Sequence, residues 1–225
     1  MKIINRTRKL DANELKRFLL RQQTTTERFK LPVTQEQAES IITAAYQAEV
    51  ELRHRQFIDN RPTRTAIHEA AQSLTGDGTT FGLILLGLPG NGKTTLLKAL
   101  RQTVRLLTQN SLFPYGSEPG IRIVGAKTIA TAARTPPLFR QYADTPLLAV
   151  EDMGREPAEI LDYGNILNPI ADIIEHRYEA QMFTIITTNL NPQEVREKYG
   201  DRVSDRLNEM MKKIIFTNQS YRLMT

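Results

Sequence analysis

The chain has 225 residues, 40% of them hydrophobic and 24% charged, and a formal net charge of +5. This length fits one large domain or a domain with a smaller appendage, and the composition is sufficient for a buried core. The absence of cysteine excludes disulfides, cysteine-ligated zinc and a cysteine nucleophile, and it suits a reducing cytosol. No apolar run approaches the roughly 20 residues that a membrane helix needs, and the amino end lacks the apolar core of a signal peptide. We therefore expect a soluble cytoplasmic protein.

The positive charge is concentrated near the amino end. Residues 1–30 contain nine lysines and arginines but only three acidic residues, so the rest of the chain is close to neutral. A basic segment of this kind can attract nucleic acid or an acidic partner. A solvated, charged terminus has the same composition, and the charge alone does not decide between the two interpretations.

Three helices are predicted before residue 80. Asp11 can cap a short helix with one apolar face. Thr34 and Gln37 have the spacing of a capping box, and an apolar stripe with a period close to 3.6 residues follows them. A further helix is predicted from about Thr63 to the next Gly-Asp-Gly. The polar segment 22–30 is expected to be a linker.

Beyond residue 80, short apolar runs alternate with helical stretches. Apolar strands without alternation, joined by helices, indicate an α/β fold with a parallel sheet that is covered on both faces. The five predicted strands are Phe81–Leu88, Ile121–Gly125, Leu147–Val150, Phe183–Thr187 and Ile214–Phe216. The predicted helices between them are Thr94–Gln109, Thr128–Tyr142, Asn165–Glu179 and Pro192–Met211, with a Gly- and Pro-containing loop at 116–120.

The strongest chemical signal is a phosphate-binding loop after the first of these strands. The segment GLPGNGKT matches G-x-x-x-x-G-K-[ST] in full, and it has the strand–loop–helix context that the motif requires. Glycines let successive N–H groups turn into one concavity at the positive end of the helix, and the lysine adds a charge for the β- and γ-phosphates. The threonine hydroxyl can ligate Mg²⁺. The predicted ATP-binding residues are Gly87, Pro89, Gly90, Asn91, Gly92, Lys93, Thr94 and Thr95.

Polar residues follow the third and fourth predicted strands. In P-loop enzymes a carboxylate after the third strand holds Mg²⁺, and the next acid can activate the attacking water. We assign the metal to Glu151, together with Thr94, and the base role to Asp152. The usual metal-side residue is aspartate, so the longer Glu151 can shift the metal or weaken hydrolysis. Asn189 is expected to orient the hydrolytic water or to contact the γ-phosphate, although a polar strand end also occurs without any function.

Four segments, taken in chain order, resemble the DnaC/IstB-type branch of the AAA+ ATPases: GLPGNGKT, LLAVEDMG, IEHRYEAQMFTIITTNL and YGDRVSDRLNEM. The resemblance covers about residues 61–225, and the branch includes bacterial and phage helicase loaders as well as transposon ATPases. It implies an AAA+ domain with a five-stranded parallel sheet and no helical lid after the last strand. It also implies that Asn189 is the first sensor residue. Arg206 would be an arginine finger that reaches the ATP of a neighbouring subunit, and Arg202 is a weaker candidate; a solvated helix face is the alternative for both.

The resemblance implies ATP-dependent assembly on DNA by a slow ATPase that DNA or a partner stimulates. We favour a helicase loader. Residues 1–60 would form a basic helical region that binds a replicative hexameric helicase of the DnaB type. The ATPase domain at 61–225 would contact single-stranded DNA, and hydrolysis would release the partner.

Two alternatives stay open at this point. One is an IstB-like transposition ATPase that binds duplex DNA and activates a transposase. The other is an adaptor that binds ATP but hydrolyses it poorly because of Glu151. A GTPase is disfavoured because the N-K-x-D motif is missing, and a nucleoside kinase is disfavoured because no arginine-bearing lid is evident.

Overall fold

The computed structural model describes residues 11–22, 28–107, 120–162 and 164–221. The helices in this part of the chain are α1 (Ala12–Arg21), α2 (Gln35–Glu51), α3 (Arg61–Thr75), α4 (Lys93–Leu107), α5 (Ala126–Ala132), α6 (Pro136–Ala143), α7 (Pro169–Glu179), α8 (Pro192–Tyr199) and α9 (Asp201–Met210). The strands are β1 (Gly82–Gly87), β2 (Arg122–Gly125), β3 (Leu148–Met153), β4 (Ile160–Asp162), β5 (Asn165–Leu167), β6 (Thr184–Thr188) and β7 (Met211–Phe216). The predicted loop at 116–120, apart from Gly120, lies outside the described residues, as does the middle of the predicted linker.

Five strands form one parallel sheet in the order β2-β3-β6-β1-β7. Side chains alternate between its two faces, so that Leu83 and Leu85 of β1 enter one buried cluster and Ile84 enters the other. Helices α2, α3 and α4 cover the first face, and helices from α5 to α9 cover the second. The predicted α/β fold, with a five-stranded parallel sheet and helices on both faces, is confirmed.

The predicted caps of the first two helices are present. The Asp11 carboxylate accepts a hydrogen bond from the Asn13 N–H, and Thr34 and Gln37 form a complete capping box. Each cap satisfies N–H groups that a helix leaves without an internal partner. These local signals place the starts of α1 and α2 correctly.

Helix α2 belongs to the same hydrophobic core as the sheet. Its buried residues Ala38, Ile42 and Tyr46 lie in one cluster with Leu96 and Leu100 of α4. The predicted boundary at residue 60 therefore does not mark a change of core. In contrast to α2, all described side chains of α1 are exposed.

Two predicted helices are divided in the structure. The helix expected at Thr128–Tyr142 separates into α5 and α6. Pro136 disfavours the helical conformation of the preceding Thr135, and proline is itself favoured at the first position of a helix, so α6 begins at Pro136. The helix expected at Pro192–Met211 separates into α8 and α9 at Gly200, whose φ of 87° is incompatible with a continuous right-handed helix.

A third predicted helix begins later than expected. Strands β4 and β5 form an antiparallel hairpin, and β5 takes Asn165–Leu167, which the prediction had placed in the helix. Helix α7 then begins at Pro169, where a proline fits the first helical turn. The short hairpin escaped prediction because three residues per strand give no readable alternation.

The sheet order brings three strand ends together. Strand β6 lies between β3 and β1, so the residues that follow these three strands meet at one edge of the sheet. Ligands of open α/β sheets bind at this carboxyl edge. No helix in the described ranges is both long and apolar enough to cross a membrane.

Candidate nucleotide site

The loop between β1 and α4 is closed by contacts that leave no room for side chains at two of its glycines. A Cβ on Gly87, whose φ is 146°, would lie 2.7 Å from the Phe216 carbonyl oxygen and would clash with the Asn91 amide. Gly92, with a φ of 105°, has the Tyr46 hydroxyl at the position of its missing side chain. Both positions require glycine for conformation and for space. The loop is therefore fixed against β7 on one side and against α2 on the other.

The Lys93 ammonium is turned toward the loop itself. Its Nζ donates hydrogen bonds to the Gly87 and Leu88 carbonyl oxygens at 2.5 and 2.8 Å. It also donates to the side-chain oxygens of Asn91 at 3.2 Å and Asn189 at 2.9 Å. All four acceptors are neutral, so Lys93 is well hydrogen-bonded while its charge is not neutralised by a direct partner.

Burial sets the acidity of this lysine. Desolvation lowers the pKa of Lys93 to about 8, and the more distant charge of Asp152 opposes part of that shift. A bound phosphate chain would place negative charge beside the ammonium and would favour its protonated form. The lysine is thus a partly desolvated cation whose direct hydrogen-bond partners are all neutral.

The acidic pair lies at the irregular end of β3. The register with β6 shifts between Val150 and Met153, and Asp152 has a φ of 57°. The Asp152 N–H donates to the Thr187 hydroxyl at 2.9 Å, which holds this left-handed residue in place. Glu151 is half-buried one residue earlier. Glu151 and Asp152 thus stand opposite the single residue Thr187 of β6, which is the two-to-one pairing of a β-bulge.

Asp152 already has one cationic partner. The Arg155 guanidinium lies 2.8 Å from Asp152 Oδ2, and both side chains are partly exposed. A single ion pair of this kind leaves the second carboxylate oxygen uncommitted. The predicted base role therefore remains a prediction that this geometry accommodates.

The donor set suits Mg²⁺ chemistry. Mg²⁺ takes oxygen ligands and is usually bound by one or two carboxylates together with substrate phosphates, and the hydroxyl of Thr94 and the carboxylate of Glu151 are such donors. Among the described residues, no group of three or more histidine, aspartate or glutamate side chains could hold a metal alone. A metal here would depend on the nucleotide for its remaining ligands.

Asn189 follows β6 and lies at the phosphate loop. Its side-chain oxygen is 2.9 Å from Lys93 Nζ, and the two preceding threonines are fully buried. The Thr188 hydroxyl donates to the Met153 carbonyl oxygen at 2.7 Å, which ties the ends of β6 and β3 together. The structure thus brings Asn189 and Lys93 together, while the sensor role itself stays a prediction.

The two arginines of α9 have partners within the same chain. Arg206 Nη1 lies 2.9 Å from Glu175, Nη2 lies 2.9 Å from Glu179, and the side chain is only 11% exposed. Its guanidinium also lies 5.1 Å from the Tyr178 ring centre. Arg202, which is 71% exposed, contacts Glu175 at 3.2 Å. Both arginines therefore pair with α7.

Among the described residues, the two arginines do not pair with the acidic residues of their own helix. Asp201 and Asp205 lie on the same helix as Arg202 and Arg206, yet both acids face Arg196 of α8, at 2.8 and 3.7 Å. Helical spacing alone suggested pairs within α9. Packing of α9 between α7 and α8 selects partners on those two helices instead.

A buried glutamate near β3 was missed by the sequence reasoning. The Glu156 side chain is fully buried, accepts from the Gly154 N–H at 3.0 Å and also accepts a short hydrogen bond from the Tyr199 hydroxyl. Lys198 lies 3.5 Å from the same carboxylate. Burial first, and then the neighbouring carboxylate, raise the pKa of Tyr199 above its ordinary value. This set joins the loop after Asp152 to the end of α8.

The arginine of the HRYE segment has a structural role. Arg177 is completely buried, and its guanidinium donates to the carbonyl oxygens of Ala143, Thr145 and Phe183 at 2.8, 2.7 and 2.5 Å. It also donates to the Thr184 hydroxyl at 2.7 Å. Burial lowers its pKa to about 9. Arg177 thus fastens α7 to the segments that lead into β3 and β6.

Comparison with solved structures finds the same fold. The DnaC helicase loader aligns with a TM-score of 0.56 at 20% identity, over 72% of this chain and 93% of the solved chain. DnaI aligns with a TM-score of 0.52 at 18% identity, over 72% and 88% of the two chains. The replication initiator DnaA bound to AMPPCP and single-stranded DNA aligns with a TM-score of 0.50 at 18% identity, over 73% and 50%.

At these identities the likeness establishes the fold. The predicted five-stranded parallel α/β architecture and the resemblance to DnaC are confirmed at the level of the fold. No protein-family model matches the chain, and no curated protein matches it.

Proposed function

We propose that this protein is an ATPase of DNA replication that binds ATP and Mg²⁺ and hydrolyses ATP to ADP and phosphate. One observation carries the proposal: Lys93 and Asn189 meet at 2.9 Å, at the sheet edge where the acidic pair of β3 also ends. A cation, an amide and two carboxylates at the edge of a complete phosphate loop are the groups that phosphoryl transfer to water requires.

The chain's own residues divide the work. The turned-in N–H groups of the loop and the first turn of α4 bind the phosphates, and Lys93 exchanges its loop oxygens for those of the β- and γ-phosphates. Asp152 accepts a proton from the attacking water, and Asn189 orients that water against the γ-phosphate. Thr94 and Glu151 would hold Mg²⁺, which supplies charge neutralisation between the phosphates.

We further propose that the protein loads a replicative helicase. The fold likeness to the DnaC helicase loader supports this, and so does an exposed apolar face on α1. Leu15, Phe18 and Leu19 are 43%, 56% and 57% exposed and lie on one side of that helix. An amphipathic helix with such a face binds by laying it into an apolar groove of a partner.

Single-stranded DNA is the second proposed partner. The initiator DnaA, which shares the fold, has been solved with single-stranded DNA bound. In this chain, Lys98, Arg101 and Arg105 are spaced by three and four residues along α4 and have no carboxylate partner among the described residues. Cations arranged along one helix face can follow a phosphate backbone without reading its sequence.

Lys93→Ala tests the nucleotide site. We expect ATP binding to weaken by at least about 100-fold, because the variant loses the one cation that faces the β- and γ-phosphates. Equilibrium binding of a fluorescent ATP analogue measures the loss, and an unchanged melting temperature shows that the fold is intact. Undiminished binding would remove the ATPase proposal.

Phe18→Glu tests the partner surface. We expect it to abolish capture of the cognate replicative helicase while ATP binding stays unchanged, because it puts a charge in the centre of the apolar face. Asn13→Glu is the matched control, since it adds the same charge away from that face. The capture is measured by pull-down with and without ATP. Capture of a transposase together with duplex DNA, and none of the helicase, would favour the transposition alternative.

A further inference from the structure

The turn that follows α2 brings an arginine to the phosphate loop. Arg53 lies just beyond Leu52, the last cap residue of α2, and its Nη1 donates to the Thr95 hydroxyl at 3.3 Å. Thr95 is buried in the first turn of α4, two residues after Lys93. This contact joins positions 42 residues apart, so a segment outside the P-loop motif reaches the edge of the site.

The position of Arg53 is supported by packing. Helix α2 shares its buried cluster with α4, and Tyr46 of α2 lies against the loop at Gly92. The Tyr46 ring also packs against Phe57, with 6.0 Å between ring centres, on the far side of the turn. Arg53 therefore extends from a turn that is anchored in the core on both sides, by Tyr46 before it and by Phe57 after it.

Arg53 has no ion pair within the described part of the chain. Its contact at Thr95 is with a neutral hydroxyl, whereas Arg64, on the next helix, forms a bidentate pair with Asp59 at 2.5 and 2.7 Å. A guanidinium without a carboxylate partner keeps all of its charge available.

A second arginine of the same turn also lies next to the loop. Arg55 Nη1 donates to the Tyr221 carbonyl oxygen at 3.1 Å, and the Tyr221 N–H donates to the Gly90 carbonyl oxygen at 3.0 Å. The loop thus has Lys93 within it, Arg53 at its edge, Arg55 linked to it through Tyr221, and the positive end of α4 behind it. Like charges at this density are unfavourable on their own and become favourable when a polyanion is bound.

We propose that Arg53 is a phosphate ligand of the bound nucleotide, acting in cis on the part of the phosphate chain beside Thr95. The inference rests on the proposed ATP site. In the P-loop motif the lysine reaches the β- and γ-phosphates, while the backbone holds the α- and β-phosphates. Because Arg53 contacts Thr95, and neither Lys93 nor Asn189 in the described part of the chain, its expected target is the α- and β-phosphates, which ATP and ADP share.

Arg53→Ala and Arg53→Gln test the inference by equilibrium binding of ATP and ADP. We expect each variant to bind both nucleotides roughly tenfold more weakly, the loss of one charge-assisted contact, with the ATP-to-ADP affinity ratio unchanged. Arg53→Gln can still contact Thr95, so an equal loss in both variants assigns the effect to charge. Asn189→Ala is the reference for a change that alters the ratio.

Arg64→Ala is the matched control, because it removes the same charge from an exposed arginine nearby. Its affinities should equal those of the wild type. Wild-type affinity in Arg53→Gln, or an equal loss in Arg64→Ala, would overturn the inference. Full ATP binding by Lys93→Ala would instead remove the proposed nucleotide site, so the two failures are distinguishable. Melting temperatures of both Arg53 variants verify that the turn is still folded.

Discussion

The phosphate loop and helix α9 both carry cations that the proposed reaction needs, but they hold them in opposite states. Lys93 is surrounded by neutral oxygens, so its charge is available to a phosphate. Arg206 is 11% exposed and already lies against two glutamates of α7. The half of the site that acts in cis is therefore assembled within one chain. In the half proposed to act in trans, Arg206 is neutralised by two glutamates of its own chain. Assembly must replace these glutamates with a phosphate of the neighbouring subunit's nucleotide.

Among the tests of this contrast, Arg206→Ala has the largest expected effect. If Arg206 leaves α7 to act as a finger, turnover in the presence of DNA and partner should fall by about 10³-fold. ATP affinity should stay near that of the wild type, because the residue does not contribute to its own chain's site. Steady-state hydrolysis and nucleotide binding, measured on the same preparations, separate the two quantities.

Arg202→Ala is the control for that experiment. Arg202 is 71% exposed and has one glutamate contact, so it is the easier of the two to release. A small effect of Arg202→Ala beside a large one of Arg206→Ala supports the finger at Arg206. The reverse result would make Arg202 the finger and Arg206 a clamp between α9 and α7.

The next effect concerns the other side of the comparison, the charge of the buried Lys93, which has no direct ion pair in the described part of the chain. Its pKa is about 8 without nucleotide and must rise when phosphate binds, since the bound anion favours the protonated form. The extra affinity is fully present below pH 8 and is lost as pH rises toward the higher pKa of the complex. We expect ATP affinity to fall by up to about tenfold per pH unit above pH 8.

Titration of ATP affinity between pH 7 and pH 9.5 measures this dependence. ATP itself is almost completely ionised above pH 8, because the second pKa of a phosphate monoester is about 6. ADP binding to the same samples is the control, since Lys93 also faces the β-phosphate and should give the same sign. An affinity that stays flat across the range would contradict the assignment of an uncompensated lysine.

The sequence predicts where the candidate cis residues lie because its signals are local. The spacing in GLPGNGKT fixes the loop, and an apolar strand on one side with a helix on the other fixes its context. The positions of Asn189 and the acidic pair then follow from a parallel sheet, whose strand ends meet at one edge. Each step uses residues that are close in sequence or a rule of topology.

The sequence does not predict contacts that depend on packing between distant segments. Arg53 meets Thr95 across 42 residues, and Arg206 takes its partners from α7 and not from its own helix. Glu156 offered no signal at all, because its burial follows from how α8 lies over the end of β3. Arg177 lies in a segment that carries the family resemblance, yet its role as a buried anchor depends on carbonyl oxygens 34 and 32 residues away in the chain.

The smallest expected effect is that of Glu179→Gln, which tests how α7 holds Arg206 of α9. Glu179 is 69% exposed and holds one side of the Arg206 guanidinium, so removing its charge should cost the pair no more than about 1 kcal/mol. Glu179→Gln should therefore release Arg206 more readily and raise turnover of the assembled protein about two- to threefold.

Glu197→Gln is the matched control, because Glu197 contacts Gln193 on α8 and does not contact Arg206. Turnover is compared at saturating ATP and partner. An unchanged rate in Glu179→Gln, beside a large loss in Arg206→Ala, would mean that Glu175 alone holds the finger against α7.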